Sequence, residues 1–159
     1  MAKIELIAEA KPALAQDYIF DVSVNGQKGP ARRRSQISGQ ASLYKFAQTI
    51  VKAFGFYFDH CFGFYDTLDI NRKAKKVYEY SLDVGEEASV PWAKSVKRSK
   101  VCDAFQFVQE KLIFLFDYGD GWQFFVQLAE VREGSGNKKP IILEKSGETP
   151  EQYPPCEDM

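Results

Sequence analysis

The sequence has few of the residues that usually build disulfide frameworks and metal sites. Its 159 residues include three cysteines, at positions 61, 102 and 156, and one histidine, His60. An odd number of widely spaced cysteines forms no disulfide framework and lacks the paired CxxC spacing of a zinc site. We therefore expect a cytoplasmic protein without a metal or another cofactor.

Long apolar runs and an excess of charge of one sign are also missing. No stretch approaches the roughly 18 apolar residues of a membrane-spanning helix, and residues 1–14 lack the apolar core of a signal peptide. The formal net charge of −1 gives no general attraction to nucleic acid or membrane. We expect one domain over residues 1–159 and no membrane partner, and leave a protein or a nucleic acid as the partner.

The clearest pattern is a β-hairpin over residues 112–128. Two runs of apolar and aromatic residues flank Asp120-Gly121, a dipeptide typical of two-residue type I′ turns. This turn would place Asp117 opposite Phe124, on the more apolar face. A carboxylate there needs hydrogen bonds, so Asp117 either caps the turn or serves as a catalytic or ligand-binding acid. Trp122 and Tyr118 are the candidate ligand-binding residues of this hairpin.

A second pattern predicts the main helix. Ser42 is a typical N-cap, apolar residues recur over residues 43–54 at the spacing of one helical face, and Gly55 follows at the expected C-terminal position. We expect a helix over about residues 42–54 whose apolar face packs on a sheet.

Two strands are expected before this helix. Tyr18 to Val24 alternates as a half-buried strand does, and Ala31 to Ile37 returns as a polar strand that Arg32, Arg33 and Arg34 interrupt. The arginines indicate either a solvated edge strand, where charges discourage pairing, or contacts with phosphate or nucleic acid.

His60 lies in an aromatic run, residues 56–66, that leads into a further expected strand at about residues 60–66. A lone histidine is either a hydrogen-bonded structural residue or a functional one, a general base or a metal ligand. Together with Asp117 and Asp120 it completes the set of candidate catalytic residues. An enzyme would require these three side chains to meet in one cleft.

Residues 68–100 are the least regular and the most basic part of the chain. Basic residues group at 72–76 and at 94–100, and the second group includes Lys97 and Arg98. We expect an irregular insertion, either solvated or serving as a binding loop with aromatic residues among basic ones. Residues 146–159 contain three prolines and four acids, which predicts an extended acidic tail.

Several segments together resemble the plasmid pRiA4b ORF-3-like family. The matching segments are the strand at 18–24, the block from Leu43 to Phe64 that includes Asp59-His60, the run from Phe114 to Trp122, and Gly147 to Pro154. Within the third of these, Asp-Tyr-Gly-Asp-x-Trp is fairly specific. The resemblance spans about residues 18–155, and residues 68–100 match least.

The resemblance implies an α+β fold and little about function, because members of the family are largely uncharacterised. Some are carried on plasmids or as passengers of insertion elements. Ala31 and Arg32 stand where many members have a tryptophan before the arginines, and Ala47 and Phe124 stand where many have histidines. The family residues that this chain retains are His60, Asp117, Asp120 and Trp122.

The order of elements predicts an α+β domain with a mixed, mostly antiparallel sheet and one main helix on one face. Its first four elements suit a β-grasp-like arrangement. The chain has no glycine-rich phosphate loop, GxSxG elbow or HExxH motif. This favours a non-catalytic binding or interaction module, an accessory of a plasmid or insertion element. The alternatives are a nucleic-acid-binding protein that uses Arg32–Arg34 and the 72–100 basic clusters, and a hydrolase-like enzyme that uses Asp117, Asp120 and His60.

Overall fold

The fold is an eight-stranded sheet with one main helix packed across one face, as described by a computed structural model for residues 15–136 and 139–154. The expectations for residues 1–14, for Cys156 and for the last five residues of the acidic tail lie outside the described residues. In chain order the elements are β1 Asp17–Gly26, β2 Gly29–Ser38, α1 Leu43–Ala53, β3 Phe62–Tyr65, β4 Val77–Glu79, a 3-10 helix Tyr80–Val84, β5 Lys94–Ser95, α2 Val101–Ala104, β6 Lys111–Phe116, β7 Trp122–Arg132 and β8 Ile141–Ser146.

The strands lie in the order β5-β4-β3-β6-β7-β1-β2-β8. All neighbouring pairs are antiparallel except β4 and β5, so the sheet is mixed and mostly antiparallel, as predicted. The first four elements follow the strand–strand–helix–strand order, and β3 joins the sheet beside β6, with β6 and β7 between it and β1. No helix among the described residues has the length and apolar character to cross a membrane.

Helix α1 forms where its sequence pattern predicts it. The hydroxyl oxygen of Ser42 accepts a hydrogen bond from the Lys45 amide at 3.1 Å, which caps the first turn. Gly55 has a φ of 75°, a left-handed conformation that glycine adopts without strain, and it ends the helix. The apolar stripe of α1 is buried against the sheet, where Phe46 packs on Phe20 at a ring-centroid distance of 4.5 Å.

Strand β2 is an internal strand, so the prediction of a solvated edge strand is wrong. It pairs with β1 on one side and with β8 on the other. The sequence obscured this because β8 is largely exposed and its pattern is weakly apolar. Side chains alternate between faces along a strand. The three consecutive arginines of β2 therefore cannot share one surface.

The hairpin formed by β6 and β7 exists, but its predicted register is wrong. Phe116 pairs with Trp122 and Phe114 with Phe124, so the five residues from Asp117 to Gly121 form the loop. The expected two-residue turn would have needed positive φ at both Asp120 and Gly121, whereas the positive φ values fall at Asp117 and Gly121. Asp117 thus lies in the loop and not opposite Phe124.

The 68–100 segment contributes to the sheet at one end. It supplies β4 and β5, and Val77, Tyr78 and Val96 are buried. Loops connect these short elements. At the opposite end of the sheet β8 runs to Ser146, which is the first residue of the expected tail.

Candidate functional site

The loop between β6 and β7 is built around the carboxylate of Asp117. Its Oδ1 accepts hydrogen bonds from the amides of Gly119 at 3.1 Å and Asp120 at 3.3 Å. Its backbone oxygen accepts from Gly121 N at 2.6 Å, and its own amide donates to the Cys61 carbonyl. Asp117 adopts a φ of 64°, which aspartate tolerates better than most residues. These bonds are those of a turn cap.

The second oxygen of Asp117 faces a polar group that we call the His60 cluster: Asp59, His60, Asp117 and Tyr153. His60 Nε2 lies 3.3 Å from Asp117 Oδ2 and 3.7 Å from Asp59 Oδ1. The same nitrogen lies 2.7 Å from the Tyr153 hydroxyl. The cluster joins the β6–β7 loop, the segment before β3 and the C-terminal segment, which are distant in sequence.

The hydrogen bonds of the His60 cluster determine which ring nitrogen of His60 carries the proton. The Tyr153 hydroxyl donates to Asp59 Oδ2 at 2.8 Å, so it accepts from His60 Nε2. Nε2 therefore carries a proton, and Nδ1 makes no hydrogen bond with a described residue. Desolvation, followed by the hydrogen bond to Asp59, raises the pKa of Tyr153 to about 12, so its hydroxyl stays a donor at neutral pH.

Gln152 fixes the C-terminal segment beside this cluster. Its side chain is buried, accepts from the Tyr57 amide at 2.6 Å, and donates to the Tyr57 carbonyl at 3.1 Å and to Asp59 Oδ1 at 3.2 Å. The Gln152 side-chain amide thus both accepts from and donates to the backbone of Tyr57, as a neighbouring strand would. It holds residues 152–154 against the loop that precedes β3.

A cavity of about 490 Å³, the turn cavity, opens beside this segment. The β6–β7 loop, the end of β1 and the C-terminal segment form its walls. The residues that line it are Val24, Asn25, Asp120, Gly121, Trp122, Gln123, Phe125, Gln152 and Pro154. Its volume lies within the range of about 300–1,000 Å³ that is usual for small-molecule sites. Neither His60 nor Asp117 lines it.

Trp122 forms part of the cavity wall and has an unusual polar atom. Its ring packs against Phe56 at 4.9 Å, with an interplanar angle of 71°. Its indole Nε1 is buried and has no hydrogen-bond partner in the part of the chain that the structure describes. An unpaired buried donor destabilises a fold by about 1–3 kcal/mol, so a group of this kind usually has a functional or local explanation.

The candidate catalytic residues therefore meet only in part. His60 and Asp117 are in contact, whereas Asp120 reaches the pair through its backbone amide and is one of the residues that line the turn cavity. No group of three or more His, Cys, Asp or Glu residues in the described ranges is placed to hold a metal ion.

Tyr118 lies in a different hydrogen-bonded chain. Its hydroxyl is 2.7 Å from that of Tyr65, which donates to Glu79 at 2.5 Å. Glu79 is buried, and its other oxygen accepts from the Ser89 amide. Desolvation raises the pKa of Tyr118 to about 12. Tyr118 does not line the turn cavity, in contrast to Trp122, the other candidate ligand-binding residue.

The three arginines of β2 have three different environments. Arg33 is buried on the helix side, where its guanidinium donates to the Ala53 carbonyl at 3.0 Å and lies 5.1 Å from the Phe54 ring centre. Arg34 pairs with Asp21 at 3.3 Å on the opposite face. Arg32 is exposed on that same face. Only Arg32 is thus both exposed and without a carboxylate partner among the described residues.

The other basic candidates lie at the opposite end of the sheet. Lys97 and Arg98 follow β5. Six strand spacings, or roughly 29 Å, separate β5 from β2. Lys97 lies over the rings of Tyr44 and Tyr80, at 4.8 and 5.7 Å. The two predicted basic regions therefore do not form one continuous surface.

A third basic region was not predicted from the sequence. A groove of about 530 Å³ between α1 and β8, the α1–β8 groove, is lined by three lysines, Lys45, Lys52 and Lys145, and by no acidic residue. Lys45 and Lys52 are seven residues apart and so lie on one side of α1. The spacing within the helix was visible in the sequence, but the position of β8 beside it was not.

The His60 cluster and its neighbour Gln152 include residues that sequence reasoning misses. Asp59, Gln152 and Tyr153 stand out in the sequence only as parts of family motifs, and no local pattern joins residues 59 and 153. The recurrence of both segments among the matching blocks was the available signal.

Comparisons with known proteins agree with this architecture. The crystal structure of a protein of unknown function from Methanosarcina mazei Go1 superposes with a TM-score of 0.67 and 19% identity, over 85% of this chain and 72% of that one. At this identity the likeness shows the fold. No curated protein matches the sequence. The family model described as plasmid pRiA4b ORF-3-like protein matches residues 16–154. As its motifs indicate, the chain belongs to the plasmid pRiA4b ORF-3-like family.

Proposed function

We propose that the protein is a non-catalytic binding module of the cytoplasm, an accessory of a plasmid or other mobile element, and that its ligand occupies the turn cavity. The observation that supports this most is the cavity itself, which is lined by Asp120, an acid without an ion-pair partner among the described residues, and by the aromatic residues Trp122 and Phe125. A few polar groups in a partly apolar cavity are typical of ligand sites. The plasmid in the family description supports the accessory role.

The bonding of the candidate catalytic groups also supports a non-catalytic role. Both oxygens of Asp117 are engaged, one by two loop amides and the other by His60. Both oxygens of Asp59 are engaged by Gln152 and Tyr153. His60 is not part of the cavity wall. These carboxylates therefore hold the cavity's surroundings in place and are not positioned to react with its occupant.

A thermal-shift screen with small polar and aromatic compounds tests the proposal. Compounds that bind the cavity should raise the melting temperature of the wild type, because binding to the native state stabilises it. The shifts should disappear in Asn25→Trp, which fills the cavity, and persist in Gln27→Trp, which adds the same ring outside it.

Two results would contradict the proposal. One is a set of compounds whose shifts survive in Asn25→Trp. The other is hydrolysis of chromogenic phosphate, ester or glycoside substrates that is lost in His60→Ala, since this would assign the cluster a reaction.

A second candidate function, nucleic-acid binding, is favoured by the α1–β8 groove. Three lysines without a neighbouring acid in the lining make the groove complementary to a phosphate backbone. Three phosphate contacts predict that the logarithm of the binding constant for duplex DNA falls with the logarithm of the salt concentration with a slope of about −2.7.

Fluorescence anisotropy with short duplexes at several salt concentrations measures this slope. Replacing the three groove lysines by glutamine should reduce the slope to near zero. The matched control replaces Lys94, Lys97 and Arg98 in the same way and should leave the slope unchanged. An effect of the control and none of the groove variant would locate the interface at the opposite end of the sheet.

A further inference from the structure

We propose that the turn cavity recognises a positively charged organic group, an alkylammonium or alkylguanidinium. This inference rests on the proposed function and names the class of ligand for the same site. It follows from the charges around the cavity, from its aromatic wall and from its free hydrogen-bonding groups.

The charges around the cavity are negative. Asp120 lines it and has no ion-pair partner among the described residues, and no lysine or arginine is part of the wall. Asp117 and Asp120 are both close enough to act on the Tyr153 hydroxyl. An anionic ligand would be repelled here, and a neutral ligand would leave the carboxylate of Asp120 without a counter-charge.

The wall also contains two aromatic residues. Trp122 and Phe125 both line the cavity, and Phe125 is 43% exposed. A cation over an aromatic ring is attracted by the negative face of the ring, most strongly for tryptophan. Trp122 and Phe125 lie three residues apart on β7, so their rings face opposite sides of the sheet. A cation beside Asp120 therefore meets one of the two rings, which adds a second attraction and gives the alkyl part of the ligand an apolar contact.

The other polar residues of the cavity wall suit a ligand that donates hydrogen bonds. Asn25 and Gln123 also line the cavity, and neither side chain has a hydrogen-bond partner among the described residues. Their amide oxygens can accept from the several N–H groups of a guanidinium or ammonium, which itself accepts none.

A pair of probes of the same shape separates charge from shape. The n-butylguanidinium ion and the neutral n-butylurea differ mainly in charge. Trp92 lies in the segment between β4 and β5, outside the cavity, so Trp92→Phe leaves Trp122 as the only indole. The emission of Trp122 then reports binding at the cavity wall.

We expect butylguanidinium to bind about fivefold more tightly than butylurea, as an exposed ion pair and cation–π contact predict. The advantage should fall below twofold in Asp120→Asn and at 1 M salt, and stay unchanged in Glu87→Gln, which removes an exposed acid elsewhere. A capped Gly-Arg-Gly peptide forms a further arm: tighter binding than that of butylguanidinium would assign the cation to a protein side chain, and weaker binding to a free small molecule.

The outcomes separate the two levels of the proposal. Equal binding of butylurea and butylguanidinium, or an unchanged preference in Asp120→Asn, overturns the inference about charge and leaves the binding module in place. Failure of both probes while other compounds of the thermal-shift screen bind the cavity also overturns only this inference. Failure of every compound overturns the proposed function as well.

Discussion

Replacing Asp117 by alanine should destabilise the fold by about 3 kcal/mol. The variant loses the two hydrogen bonds that Oδ1 accepts from the amides of Gly119 and Asp120, at about 1 kcal/mol each. It also places alanine at a φ of 64°, which adds about 1 kcal/mol for a side chain that lacks the local hydrogen bonds of aspartate.

Two further substitutions separate these contributions. Asp117→Gly loses both hydrogen bonds but adopts the left-handed conformation freely, so it should lose about 2 kcal/mol. Asp117→Asn keeps an acceptor oxygen and tolerates positive φ, so it should lose less than about 1 kcal/mol. The order of stability should therefore be aspartate, asparagine, glycine and alanine.

Urea denaturation at pH 7, followed by circular dichroism, measures these differences if the m-values remain equal. His60→Ala is the control for the contact at Oδ2, and it should lose less than about 1 kcal/mol because the imidazole is partly exposed. An Asp117→Ala variant within about 0.5 kcal/mol of the wild type would refute the turn-cap argument. The same result would reopen Asp117 as a functional acid.

Two other predictions concern pH and buried charge. Burial raises the pKa of Tyr18 from 10.0 to about 12, so its contribution to stability is complete below pH 10 and is lost as pH rises to 12. Tyr18→Phe should remove about 2 kcal/mol of that alkaline loss, measured as the urea midpoint at pH 8 and at pH 12; an equal loss in both proteins would refute it. Arg33→Met should lower the free energy of unfolding by about 2 kcal/mol, since it leaves the carbonyl at the end of α1 unpaired, whereas exposed Arg32→Met should change it by less than about 0.5 kcal/mol. Equal effects of the two arginine variants in the same denaturation assay would contradict the buried role of Arg33.

The predictable parts of the fold are those that local physics determines. The apolar stripe of α1, its Ser42 cap and Gly55 all act within a few residues, and the helix begins and ends where they indicate. The alternation of β1 likewise reports one buried face. The presence of the β6–β7 hairpin followed from its two apolar runs.

The register of that hairpin could not be read from the same residues. Asp-Gly is a strong signal for a two-residue turn. The hydrogen bonds that backbone amides donate to Asp117 instead stabilise a five-residue loop, which shifts the pairing of the strands by an odd number of residues. An odd shift exchanges the faces of one strand relative to the other. The predicted environment of Asp117 was therefore wrong, although its role as a hydrogen-bond acceptor in the turn was one of the two stated alternatives.

The sequence predicts individual residues of the candidate site, but it does not predict which residues the fold brings together there. His60, Asp117, Asp120 and Trp122 were named from the sequence, and they lie at one end of the sheet. Their relations depend on contacts such as that between His60 and Tyr153, which are 93 residues apart. Similarly, β2 could be recognised as an internal strand only once β8 had been placed beside it.

The two outer strands of the sheet affect how readily the protein aggregates. One outer strand, β5, has only two residues, and the other, β8, contains an irregularity in its pairing with β2 opposite Arg34 and Ser35. A short strand and a bulged strand are poor templates for the addition of a strand from another molecule. Concentrated solutions should therefore resist growth into fibres, although the sheet is wide and rich in aromatic residues.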